Sequence, residues 1–118
     1  MRQYDTGIRG EEAAERYLTE CGMSCLARRY RAEDGEVDLV MLDGETIVFV
    51  EVKSRPGSRA GAGLAAVTPA KQRRLAHAAL HFLAQREWVD RPARFDVVEI
   101  SITGIHHVPN AFAPGMGW

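Results

Sequence analysis

Gly35-Glu36-Val37-Asp38-Leu39-Val40-Met41-Leu42-Asp43-Gly44-Glu45-Thr46-Ile47-Val48-Phe49-Val50-Glu51-Val52-Lys53 is the stretch that decides the fold. Two apolar runs flank Asp43-Gly44, a dipeptide that supplies the positive backbone angles of a tight hairpin turn. With those two residues as the loop, Leu42 pairs with Glu45, Met41 with Thr46, and Asp38 faces Phe49; a four-residue loop from Leu42 to Glu45 gives the same register. Side chains alternate along a strand, so this register puts Val37, Leu39, Met41, Val48, Val50 and Val52 on one face. The other face carries Glu36, Asp38, Val40, Ile47, Phe49, Glu51 and Lys53. A one-residue slip would mix the two sets.

On the second face, Glu51 and Lys53 project together, and Asp38 lies diagonal to Glu51, within roughly 7–8 Å. Glu36 falls opposite Glu51, a like-charge pairing that destabilises a sheet unless it is neutralised. Three carboxylates and a lysine thus converge, and a divalent cation is the simplest explanation. The competing reading is a solvated polar face. Val40, Ile47 and Phe49 on that same face argue that much of it is covered, where bare carboxylates are costly.

Outward from the hairpin, residues 7–21 predict a helix with Gly10, Ala14, Tyr17, Leu18 and Cys21 on one side. Asp5 or Thr6 would cap it and Gly22 would stop it. Glu11, at the border of the apolar stripe, is the acid of this helix best placed to reach the sheet. A strand is expected at 24–30 and a loop at 32–35. Residues 54–67 are expected to form a Gly-rich loop, and Thr68-Pro69 to open a second helix over 69–88. Its buried face would be Leu75, Ala76, Ala79, Phe82 and Leu83, with Arg73, Arg74, His77 and His81 opposite. A last strand follows at 95–102. The fold class is α/β: a mixed sheet on a central antiparallel hairpin, flanked by helices. The chain reads as one domain, 1–118, with its core over about 6–102 and a tail from 103 that has no obvious place. His106 and His107 in that tail read as surface histidines.

The 118 residues carry a net charge of −1, which hides an asymmetry. Residues 1–51 balance at −6, 52–86 at +7 with no acid, and 87–118 at −2. Carboxylates followed by a basic block suit a metal-dependent enzyme acting on a polyanion; a solvated basic helix is the alternative. No apolar run is long enough to span a membrane. The acids near the N-terminus argue against an export signal. Cys21 and Cys25 read as buried or incidental thiols, so a cytoplasmic location is expected.

Gly7, Gly10-Glu11, Ala14, Tyr17-Leu18, Gly35-Glu36-Val37-Asp38-Leu39-Val40 and Val48-Phe49-Val50-Glu51-Val52-Lys53 together resemble the bacterial YraN family. Arg55, Val67, Lys71, Arg73 and Arg94-Phe95-Asp96-Val97-Val98 extend the likeness. These are uncharacterised small proteins with a restriction-endonuclease-like fold predicted for them, distantly similar to archaeal Holliday-junction resolvases. The resemblance implies the PD-(D/E)xK arrangement of Asp38, Glu51, Lys53 and a helix-borne Glu11. Three departures stand out: Val37 replaces the motif's proline, Arg29 stands where members usually carry Asn, and Ala60 and Ala65 replace larger loop residues.

The expected activity is Mg²⁺- or Mn²⁺-dependent cleavage of DNA, at branched or structured sites. Asp38, Glu51 and the Val52 carbonyl would ligate the metal, with Glu11 completing the shell and Glu36 a secondary candidate. Lys53 would orient water or stabilise developing charge. Arg55, Lys71, Arg73 and Arg74 would hold the backbone. The rivals are a nucleic-acid-binding module without turnover and a subunit of a DNA-processing complex; a homodimer would suit symmetric junction cleavage.

Overall fold

The computed structural model describes residues 3–54 and 67–113, with side chains from residue 9 onward. The order of elements is α1 (Gln3–Glu20), β1 (Ser24–Ala32), β2 (Gly35–Asp43), β3 (Thr46–Ser54), α2 (Pro69–Gln85), β4 (Ala93–Ser101) and β5 (Gly104–Phe112). The five strands form one sheet in chain order. The β3–β4 pairing is parallel, across the α2 crossover, and the other three are antiparallel. The α/β reading of a mixed sheet on a central hairpin between two helices therefore holds. The arrangement is compatible with a restriction-endonuclease-like fold.

Each face of the sheet buries one helix. Ala14 and Leu18 of α1 pack with Leu39, Met41, Val48, Val50 and Val98. Leu75, Ala76, Ala79, Phe82 and Leu83 of α2 pack with Val40, Ile47, Phe49, Phe95 and Val97. The predicted apolar face of α2 is thus correct, with Ala78 added, and Arg73, Arg74, His77 and His81 are exposed. The Thr68 side chain accepts the Lys71 N–H at 3.3 Å, and Pro69 occupies the first turn. A proline is harmless there because its missing N–H has no partner in any case. The helix ends at Gln85, short of the predicted 88.

Around α1 some expectations need correction. The helix starts at Gln3, so Asp5 and Thr6 lie inside it and do not cap it. Gly22 (φ 102) does end it, using the left-handed backbone open to glycine. Cys21 is exposed, not part of the apolar face.

The hairpin register is also corrected. Asp43 pairs with Thr46, Met41 with Val48 and Val40 with Phe49, so the loop is Gly44-Glu45 and not Asp43-Gly44. Gly44 supplies φ 63 at the first loop position. Arg94, 3.1 Å from the Asp43 carboxylate, holds Asp43 at the end of the strand. The slip is by two residues, which preserves the faces but changes every partner.

Alternation itself breaks near the far end of β2. Val37 joins the α2-side cluster with Val40, not the α1-side cluster with Leu39 where the pattern puts it. Across from it, consecutive Arg28 and Arg29 both reach α1, pairing with Glu15 and Glu11. Arg29 itself has φ 48, a left-handed conformation that departs from strand geometry at this point.

The tail is not loose over residues 104–112, where it forms β5 on β4. His107 is a structural residue there. Its Nε2 lies 2.7 Å from buried Asp96, which also receives the Asn110 N–H at 2.9 Å and Arg94 at 3.0 Å. Burial alone would raise the Asp96 carboxyl, but His107, Arg94 and the Asn110 N–H outweigh it and hold the group below the usual range.

Candidate functional site

The sheet forks. Backbone pairing between β2 and β3 runs from Asp43↔Thr46 to Leu39↔Val50 and goes no further. Beyond that point, residues 35–37 of β2 stay with β1, through Tyr30↔Val37 to Ala32↔Gly35. Residues 51–54 of β3 stay with β4, through Glu51↔Val97 to Ser54↔Ile100. Asp38 sits in the crotch, where its Oδ2 accepts the Val52 N–H at 2.8 Å. A side chain therefore replaces the strand carbonyl that the diverging backbone no longer offers to this amide.

The start of α2 closes the fork into a cleft of about 510 Å³, lined by Arg31, Glu36, Asp38, Glu51, Val52, Lys53, Lys71 and Arg74 among others. The close approach of β2 to α2 depends on Gly35. A Cβ added there would overlap the Arg74 carbonyl oxygen, so the backbone would have to shift.

Glu51 is 4% exposed and is contacted by two cations through the same oxygen. Lys53 Nζ lies 3.2 Å from Oε2, and Lys71 Nζ is in direct contact with that atom. The Asp38 carboxyl lies close enough to Glu51 for the two to share a proton. Two carboxylates this close do not both ionise readily. Burial first, then the Glu51 carboxylate, push the Asp38 carboxyl up to about 8, against the pull of the Val52 N–H. For Glu51, burial is offset by the Asp38 proton and the two lysines, so its carboxyl is held below the usual value. Burial, together with the neighbouring Lys71, keeps the Lys53 ammonium below the ordinary lysine value.

Of the residues marked in the sequence, the fold brings Glu36, Asp38, Glu51, Val52, Lys53, Lys71 and Arg74 to one cleft. Glu11 is bound to Arg29 at 2.8 Å; its charge is felt at Asp38, but it does not line the cleft. Glu36 pairs with Arg31 at 3.1 Å instead of facing Glu51, because the ladder ends before it. Arg73 is exposed away from the lining, and Arg55 lies outside the described residues. Among the described residues, no three His, Cys, Asp or Glu side chains converge as a ready-made metal cage. The Asp38–Glu51 pair still fits a hard divalent cation of the Mg²⁺ kind, which keeps several waters and uses one or two carboxylates.

Two placements were not legible in the sequence. Lys71, expected to face only the nucleic-acid backbone, is turned by helix geometry onto Glu51. Glu99 is 1% exposed, pairs in register with Lys53, and shares the cleft-side face of β4 with Val97. Its place two residues after Val97 in an apolar strand was the available signal.

A family profile described as uncharacterised protein family UPF0102 matches residues 10–100. The chain belongs to UPF0102. This is the YraN family that the sequence resembles. Among UPF0102 proteins, that of Geobacter metallireducens is 46% identical over 110 residues, covering 90% of each chain. That of Symbiobacterium thermophilum is 50% identical over 94 residues, 80% of each. The Yersinia enterocolitica relative is 42% identical over 114 residues, covering 95% of this chain and 97% of its own. The forked sheet and its cleft lie almost wholly within the span that UPF0102 defines. Among the described residues, no helix is long and apolar enough to cross a membrane.

Proposed function

We propose that this UPF0102 protein is a divalent-metal-dependent endonuclease that hydrolyses phosphodiester bonds in DNA, at branched or structured sites. One observation carries the reading: the fork in the sheet brings Asp38 beside Glu51 in a cleft that is also lined by Lys53, Lys71 and Arg74. Asp38 and Glu51 would hold the cation, with the Val52 carbonyl as a further oxygen beside them. A cation bound there would polarise a phosphate oxygen and lower the pKa of an attacking water. Lys53, two residues from Glu51 on the same strand face, would orient that water or stabilise charge developing on the phosphate. Arg74 and Lys71 offer donors to the phosphates. Arg55 and Arg73 would extend the contact along the backbone. Glu11 would act from outside the cleft, through its charge on Asp38.

The test is incubation with Mg²⁺ or Mn²⁺ on labelled linear, flap and four-way-junction DNAs, beside Glu51→Ala prepared identically. Cleavage by the wild type alone is the expected result; equal cleavage by both proteins would sink the assignment. A second reading has its own support. With two lysines already on Glu51, the cleft is neutralised without any metal, as a phosphate-binding module would need. Salt-sensitive DNA binding that survives Asp38→Ala, with no cleavage, would favour that module.

A further inference from the structure

We infer that Lys71 is a coupling residue: it occupies the Glu51 carboxylate until a divalent cation arrives, and is then released onto the DNA phosphate. The inference rests on the metal-dependent reading above. Its basis is the sharing of one oxygen by two ammonium groups that differ in how they are tethered. Lys53 rises from β3 two residues after Glu51, on the same face, and is 17% exposed. The strand keeps it beside Glu51 whatever else binds. Lys71 comes from a different element, the first turn of α2, and its side chain is 30% exposed with open cleft beyond it.

A cation bridging Asp38 and Glu51 would sit against the carboxylate whose Oε2 both lysines now hold. Like charges at contact distance in a partly buried site repel strongly, so one ammonium must give way. Lys71 is the one with somewhere to go. A lysine is a point charge on a long flexible stem, and Arg74, one turn further along α2, lines the same cleft. Freed from Glu51, the Lys71 ammonium joins Arg74 where a phosphate would lie.

Lys71 thus bonds one of two partners, a carboxylate or a phosphate, and the metal decides which. By linkage, metal and DNA must each strengthen binding of the other through this residue. A lysine that merely neutralised the cleft would not produce such coupling.

The experiment uses Lys71→Met, which keeps the stem and removes the charge, and Lys71→Arg, which keeps the charge. Mn²⁺ affinity is read by electron paramagnetic resonance of free Mn²⁺. Affinity for a labelled four-way junction is read with and without Ca²⁺ at fixed ionic strength. Lys71→Met should bind Mn²⁺ at least about fivefold more tightly than wild type. The Ca²⁺-induced gain in DNA affinity should be at least about fivefold larger in the wild type than in Lys71→Met, and Lys71→Arg should keep the wild-type gain.

Equal or weaker Mn²⁺ binding by Lys71→Met, or a Ca²⁺ gain as large in it as in the wild type, overturns the coupling role and leaves the metal site standing. No Mn²⁺ binding by any of the three proteins overturns the metal-dependent reading and this inference with it. A measurement on the wild type alone guards against a variant that fails to fold. In ¹⁵N-lysine spectra, Mg²⁺ should shift the Lys71 ammonium signal away from its carboxylate-bound position, and an unmoved signal would refute the proposal.

Discussion

Replacing Asp38 by Asn should make the metal-free protein more stable at pH 8 and leave it almost unchanged at pH 5. In the folded chain, the Asp38 carboxyl sits at about 8 against an ordinary 3.8, chiefly because it is buried and secondly because it faces Glu51. Between those two values the folded state holds a proton that the unfolded state has released. Stability must therefore fall as pH rises through this window. Glu51 works in the opposite sense, since its folded-state carboxyl is depressed. Its contribution is present above pH 4.5 and is lost in acid, which leaves the range above pH 5 to Asp38.

At about 1.4 kcal/mol per pH unit, the rise from pH 5 to pH 8 would remove at most about 4 kcal/mol. Water reaching the open cleft and relaxation around the pair reduce the expected loss to about 2 kcal/mol. The amide introduced by Asp38→Asn never ionises, and its oxygen can still accept the Val52 N–H that Asp38 takes at 2.8 Å. Urea unfolding followed by circular dichroism, with EDTA present, at unit pH steps from 5 to 8, gives the difference between the two proteins directly. That difference should grow by about 2 kcal/mol in favour of Asp38→Asn. A constant difference, or a wild type that gains on the variant toward pH 8, would refute the idea that crowding by Glu51 and burial hold the proton on Asp38. Addition of Mg²⁺ at pH 7 should release close to one proton from the wild type and none from the variant.

Asp96→Ala should destabilise the fold by about 3–5 kcal/mol at pH 7, because it leaves Arg94, His107 and the Asn110 N–H around a buried position without their shared carboxylate. Since the Asp96 carboxyl is held below its ordinary value, its stabilisation is complete above that value and is lost as pH falls through the folded one. The penalty measured by urea unfolding should accordingly shrink in acid. Gly35→Ala should cost about 1–3 kcal/mol by forcing β2 off the Arg74 carbonyl, and a variant with unchanged stability would mean that the two elements do not meet so closely. Arg29→Asn should raise stability by up to about 1 kcal/mol by easing the φ 48 backbone, with little lost from the half-exposed pair to Glu11; a lower melting temperature would contradict this.

Apolar periodicity in this chain made the two helices, the hairpin and the late strand readable without any tertiary information. The same pattern showed which faces of α2, β2 and β3 would be buried, because a helix or strand must turn its apolar side inward wherever it packs. Glu51 and Lys53 were also bound to project together, since strand geometry puts alternate side chains on one face. What the pattern could not give was register. A slip of two residues leaves every face intact, so Asp43-Gly44 and Gly44-Glu45 were indistinguishable as loops until Arg94, distant in the chain, fixed Asp43 in the strand.

Nor could local pattern reveal where two paired strands part company. The fork beyond Leu39 and Val50 arises because β1 and α2 draw one arm away while β4 keeps the other. That fork brings Asp38 onto Glu51, leaves Glu36 to Arg31, and opens the cleft that Lys71 enters. The residues able to do chemistry were therefore determined by the sequence itself. Which of them meet was decided only by tertiary structure, because separation between strands and the approach of a helix depend on contacts between residues far apart in the chain.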